Sequence, residues 1–217
     1  MAGRLLFWGS GSVPCWKPML VLAEKGLNYE SKQISFSDKG HKGPEVIALN
    51  PRGQVPTFKD GDVVVNESNA ICFYLESTYK KEGTQLIPAD PKERGKVLQK
   101  AFEVSTNCQL YMFTSAVVDE VIKKKLEDYR DELNIWEKYL GQNGTKFAVG
   151  DSFTMADVFF FPFMAWAWRM SLDFSKYPNL QAYFEGLKDR PSVKATWPPH
   201  WNEGDPQPEK MAYLKNL

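Results

Sequence analysis

Apolar positions are spaced in two different ways along the chain, and the change falls between residues 80 and 90. In the first part the apolar runs are short and separated by polar turns. Leu5-Leu6-Phe7-Trp8 predicts a strand over 4–8, and 14–26 a helix with Met19, Leu20, Leu22 and Ala23 on its apolar side and Gly26 as its stop. Residues 29–35 alternate weakly and predict a second strand. A polar loop over 38–44 leads to a short helix, 45–49, stopped by Asn50-Pro51. Residues 56–59, the turn pair Asp60-Gly61 and Val63-Val64-Val65 read as a hairpin, and a helix over 68–79 follows.

The order βαβ, helix, hairpin, helix predicts an α/β domain over 1–80 with a four-stranded mixed sheet. Residues 81–90, with Gly83 and Pro88, read as a linker, and 91–217 as an all-α helical domain. There Leu126, Tyr129, Leu133, Trp136 and Leu140 hold a helical stripe, and Val97, Leu98, Phe102 and Met112 hold one less cleanly. Thr154-Met155-Ala156-Asp157 has the form of a capping box, with Phe153 and Val158 at the staple positions, which gives Asp157 a structural role. The tail after Pro191, with Trp197-Pro198-Pro199 and Trp201, predicts an irregular strap.

Composition narrows the function. Of 217 residues 43% are hydrophobic, enough for one large or two modest cores. Lys plus Arg equals Asp plus Glu at 27 each, so nothing points to nucleic acid. Cys15, Cys72 and Cys108 are too scattered for a disulfide framework, and with only His41 and His200 no metal-ligand spacing exists. A reducing, cytoplasmic setting is expected. Gly, Trp and Ser within ten residues of Met1 leave no signal-peptide core. The most apolar stretch, 158–168, contains Pro162 and lies between Asp157 and Arg169; at about half a bilayer span it reads as a buried helix.

The candidate chemistry sits in Gly9-Ser10-Gly11-Ser12-Val13-Pro14-Cys15, where a strand feeds a polar loop and Pro14 takes the first helical position. Such a loop offers hydroxyls and orphan N–H groups beside the positive end of a helix dipole, which favours an anion such as a thiolate. Capping of the helix by Ser10 or Ser12 is the competing role, and Cys15 near a helix start is a second candidate nucleophile.

Taken in order, Ser12 to Cys15, Asn50-Pro51-Arg52-Gly53-Gln54-Val55-Pro56, Glu67-Ser68 and the box from Thr154 to Asp157 resemble the cytosolic glutathione transferases over nearly the whole chain. No Tyr precedes Tyr29, so the likeness is to the serine-type branch of theta, zeta and delta classes, with an overall look similar to the rho class. The resemblance implies a thioredoxin-like N-terminal domain, a helical C-terminal domain, glutathione as cosubstrate, no metal, and a homodimer with Cys72 and the third helix near its interface. It also implies conjugation of small hydrophobic electrophiles in detoxification of xenobiotics, with peroxide reduction as a further activity.

Ser12 matches the activating serine of that branch, with Ser10 as the alternative hydroxyl; the branch that uses cysteine places it directly before the proline, where this chain has Val13. A free thiol with a pKa near 8.5 is about 3% thiolate at neutral pH, and lowering it by about two units takes roughly 2.7 kcal/mol. For the tripeptide, the likeness assigns His41 and Lys42 to the glycyl carboxylate, Gln54 to the peptide backbone, and Val55 with a cis Pro56 to strand-like pairing. Glu67 is assigned to the ammonium and Ser68 to the γ-glutamyl carboxylate, against simple helix capping as the competing role. For the electrophile, the expected lining is Trp8 and Val13 from the first domain and Tyr111, Met112, Phe113, Ser115, Ala116, Trp166 and Arg169 from the second, in a pocket between them. Competing functions are a zeta-like glutathione-dependent isomerase and a non-catalytic glutathione- or ligand-binding family member.

Overall fold

The computed structural model describes residues 3–108, 119–201 and 214, with side chains described for all of these except 119–126. The chain divides into two compact units, Met1–Gln85 with Pro191–Gly204, and Leu86–Arg190 with Asp205–Leu217.

The first unit is built on strands β1 (Arg4–Gly9), β2 (Glu30–Ile34), β3 (Thr57–Asp60) and β4 (Val63–Asn66), in the order β2-β1-β3-β4. β1 and β2 are parallel, and β3 is antiparallel to both β1 and β4. Helix α1 (Val13–Glu24) is the crossover between β1 and β2, α2 (Pro44–Leu49) precedes β3, and α3 (Ser68–Thr78) follows β4. This is the mixed four-stranded, thioredoxin-like arrangement the sequence predicts. Two details differ by one residue. Pro14 is the second helical residue rather than the first, equally free of an N–H requirement, and Asp60 pairs with Val63, so the hairpin turn is Gly61-Asp62 with Gly61 at φ +62°.

α1 was expected to show one apolar side, yet it is buried nearly all round, Lys17 included. The cause is a third partner. Besides β1 and α3, it is covered by α8 (Pro191–Thr196), the first part of the tail strap. Trp16 Nε1 donates to Thr196 Oγ1 at 2.7 Å, and Trp16, Trp197 and Trp201 meet edge to face at 5.4–5.7 Å. Lys17 Nζ reaches Asn69 Oδ1 at 3.2 Å, which gives the buried ammonium a polar partner.

The second unit contains α4 (Pro91–Glu103), a π-helical turn (Val104–Cys108), α5 (Asp119–Asn143), α6 (Met155–Arg169) and α7 (Pro178–Leu187). Tyr129, Leu133, Trp136 and Leu140 are buried on α5 as the stripe predicts; the side chain of Leu126 and all of Met112 lie outside the described residues. The expected α4 stripe is corrected: Val97 and Ala101 are buried, whereas Phe102 is 51% exposed. Trp136 stacks on Phe160 at 3.8 Å, and Phe161 on Phe184 at 5.8 Å, so α6 is the apolar axis of this unit. No described helix is long and apolar enough to cross a membrane.

Candidate active site

Strand register brings four segments to one end of the sheet. Gly9 pairs with Ile34, Phe7 with Thr57, and Thr57 with Asn66, so the last residues of β1, β2 and β4 and the first of β3 lie side by side. Adjacent strands are about 4.8 Å apart. The loop 10–12, the loop 35–43, the segment 54–56 and the pair Glu67-Ser68 all leave from this edge.

At the start of α1, Ser12 is the N-cap, with its backbone extended and its Oγ accepting from Cys15 N–H at 3.4 Å. The first turn of α1 has no acidic residue, so no side-chain carboxylate of that turn offsets the positive end of the helix. A hydroxyl that accepts one N–H retains its own proton to donate. Gly11, at φ +76°, makes the tight turn that sets Ser12 there.

Cys15 does not behave as the sequence alternative requires. It is fully buried, its Sγ accepts from Gly9 N–H at 3.5 Å, and burial pushes the thiol up to about 11 despite hydrogen bonding from Ser12 and Gly9. Position near a helix start lowers a thiol pKa only where solvent or charge reaches the sulfur. Ser10 Oγ lies 2.6 Å from His200 Nδ1, so that hydroxyl is already engaged.

The Val55-Pro56 bond is cis. Asn50 Nδ2 and Thr57 Oγ1 both donate to Gln54 O, each at 2.9 Å, and hold this segment in front of β3. The N–H and C=O of Val55 have no partner among the described residues. At α3, Glu67 sits at φ +72°, a costly conformation for a residue with a Cβ, and the helix has no side-chain cap. The N-cap side chain, that of Glu67, makes no capping hydrogen bond at this helix start, where the buried Ser68 is the first helical residue.

In the loop after β2, the His41 ring packs on Phe36 at 5.7 Å, and its Nδ1 is buried without a partner among the described residues. Lys42 is exposed, and its Nζ donates to Arg52 O at 2.8 Å. Gln54 is exposed. Of the expected electrophile residues, Trp8 and Val13 are buried in the first unit, with Trp8 Nε1 donating to Ser31 Oγ at 2.8 Å. Trp166 and Arg169 are buried near the end of α6 in the second. Tyr111, Met112, Phe113, Ser115 and Ala116 lie outside the described residues. Among the described residues no three His, Cys, Asp or Glu side chains gather to hold a metal.

Sequence reading missed two groups that touch this edge. The Phe36 ring lies against Gly9, leaving no room for a Cβ, and His200 arrives from the tail. Neither carries a local signal, because each contact is made by a residue distant in sequence.

Family models for the glutathione S-transferase N-terminal domain and C-terminal domain match residues 5–77 and 119–186. The chain is 45% identical over 216 residues to glutathione S-transferase A of Pleuronectes platessa, covering 95% of this chain and 96% of that protein. It superposes on a glutathione S-transferase from the Antarctic clam Laternula elliptica with a TM-score of 0.87 and 45% identity, over 97% of this chain and 99% of that one. Poplar glutathione transferase F1 is similar at a TM-score of 0.78 and 27% identity, over 90% and 97%. A thioredoxin-like sheet joined to a helical unit, with these matches along both, defines an enzyme of the transferase class. The chain belongs to the cytosolic glutathione S-transferase family.

Proposed function

We propose that this chain binds glutathione at the sheet edge, stabilises its sulfur as a thiolate beside Ser12, and transfers that sulfur to small hydrophobic electrophiles. The observation that carries the reading is the start of α1: an N-cap hydroxyl with a proton to donate, at a helix end without an acidic residue in its first turn. Val55 supplies an unpaired backbone N–H and C=O for strand-like pairing with the tripeptide. The start of α3, where Glu67 makes no side-chain cap, suits with Ser68 the γ-glutamyl carboxylate, and Glu67 its ammonium. His41 and Lys42 sit on the loop nearest β2, the side suited to the glycyl carboxylate. No general base is required, since the proton leaves to water once the anion is favoured by about 2.7 kcal/mol.

In the same reading the electrophile meets residues of both units, hydroperoxides are reduced at the same sulfur, and the protein acts in detoxification as a cytoplasmic homodimer. Three free, buried cysteines fit a reducing compartment. The test is retention on immobilised glutathione together with conjugation of chlorodinitrobenzene by the wild type and Ser12→Ala. Retention with turnover that Ser12→Ala removes is the expected result. Retention without any turnover marks a ligand carrier and overturns the enzymatic reading.

A further inference from the structure

The Gly9–Ser12 loop is held from a direction that glutathione binding does not account for. His200 and Trp201 form part of a 3-10 turn, Pro199–Trp201, that follows α8. Ser10 Oγ and His200 Nδ1 are 2.6 Å apart. A Cβ built on Gly11 would lie 2.8 Å from His200 Cε1 and 3.1 Å from Trp201 Nε1, so loop backbone and strap touch with no side chain between them. The strap itself is fixed on both sides of the contact. Trp197 and Trp201 pack edge to face on Trp16, Thr196 bonds the Trp16 indole, and Ser192 bonds the buried Glu24 carboxylate.

We propose that His200 and Ser10 are a positioning pair: the imidazole pins the Ser10 hydroxyl, and through it the loop that aims Ser12 at the sulfur. The proposal rests on the reading of Ser12 as the thiolate donor. Whichever group donates, the Ser10 oxygen stays with the ring. If Ser10 donates to Nδ1, its only proton is spent; if Nδ1–H donates to Ser10, the oxygen is still fixed in place. In the first case Ser12 is the hydroxyl left for sulfur; in both, Ser12 lies one residue beyond a glycine whose conformation the strap confines. Misplacement of a reacting partner by a fraction of an ångström acts on the chemical step more than on binding.

The experiment uses the full chain with His200→Phe, Ser10→Ala, both together, and His200→Asn, whose side-chain amide can reach the position of Nδ1. The bound thiol is titrated by its ultraviolet thiolate absorbance, and kcat and KM for glutathione are measured with chlorodinitrobenzene. Each single variant is expected to raise the bound-thiol pKa by about one unit and to lower kcat about tenfold, with KM for glutathione within about twofold. The double variant is expected to be no worse than either single, and His200→Asn to recover most of the loss. Single variants that leave the thiol titration unmoved, or effects that add in the double, overturn the pair. Loss of the thiolate in Ser10→Ala but not in His200→Phe overturns it too, making Ser10 the donor. Ser12→Ala, run alongside, separates the two ideas: an unaltered thiolate there refutes the Ser12 reading itself, whatever the pair does.

Discussion

At the start of α6 the chain places its own carboxylate at the positive end of the helix. Asp157 is fully buried and accepts from Ala148 N–H at 2.7 Å, Thr154 N–H at 2.8 Å, Thr154 Oγ1 at 3.2 Å and Tyr183 Oη at 3.3 Å. At the start of α1 the first turn holds no acid, and a single hydroxyl, Ser12, accepts one N–H at 3.4 Å. Both ends carry the same dipole. The difference lies in who neutralises it. At α6 the chain supplies the anion itself; at α1 it leaves the place open, which is where the proposed sulfur would sit.

The comparison breaks most visibly at α6. Asp157→Ala leaves buried donors from Ala148, Thr154 and Tyr183 without their acceptor, and is expected to cost about 3–4 kcal/mol of stability by urea unfolding. Thiol activation in whatever remains folded should be unchanged.

Acidity tests the same carboxylate. Burial pushes Asp157 up to about 6 from the ordinary 3.8, outweighing its hydrogen bonds. Between these values the folded chain holds a proton that the unfolded chain has released, so this group's stabilising contribution is full below pH 4 and is lost as pH rises through 6. Its span is about 3 kcal/mol. Asp157→Asn has no such proton, and the difference in stability between it and the wild type should vary across that window; a constant difference would contradict the assignment.

At α1 the expectation reverses. Ser12→Ala is expected to cost about 1 kcal/mol of stability as a lost cap, while conjugation falls about a hundredfold. Steady-state rates alongside an unfolding curve check both halves. The smallest effect is expected from Cys15→Ala: about 1 kcal/mol of stability for the lost sulfur and no change in the titration of bound glutathione. A shifted titration would show that Cys15 takes part in the chemistry.

Most of the fold was legible because its signals are local. Gly26, the pair Asn50-Pro51 and the box from Thr154 to Asp157 act within a few residues of themselves, and β1 to β4 and α1 to α3 fall close to their predicted places. Burial was less legible. The exposure of Phe102 and the covering of Lys17 depend on which distant element lies against each helix, and periodicity is blind to that. For the candidate site, the resemblance pointed to segments that the strand register brings to one end of the sheet. It could not show the sulfur of Cys15 shut away, the engagement of Ser10 by His200, or the unpaired backbone of Val55, since each follows from tertiary contact.

Because residues 191–201 fold onto α1, the first body of this protein is finished by residues synthesised only after the helical segment 86–190. While the ribosome is still adding the helical segment, the indole of Trp16 has neither Thr196 to bond nor its two tryptophan neighbours to lean on. A nascent chain halted before Pro191 therefore displays a greasy flank on α1, an invitation to chaperones that disappears once residues 191–201 emerge and fold back.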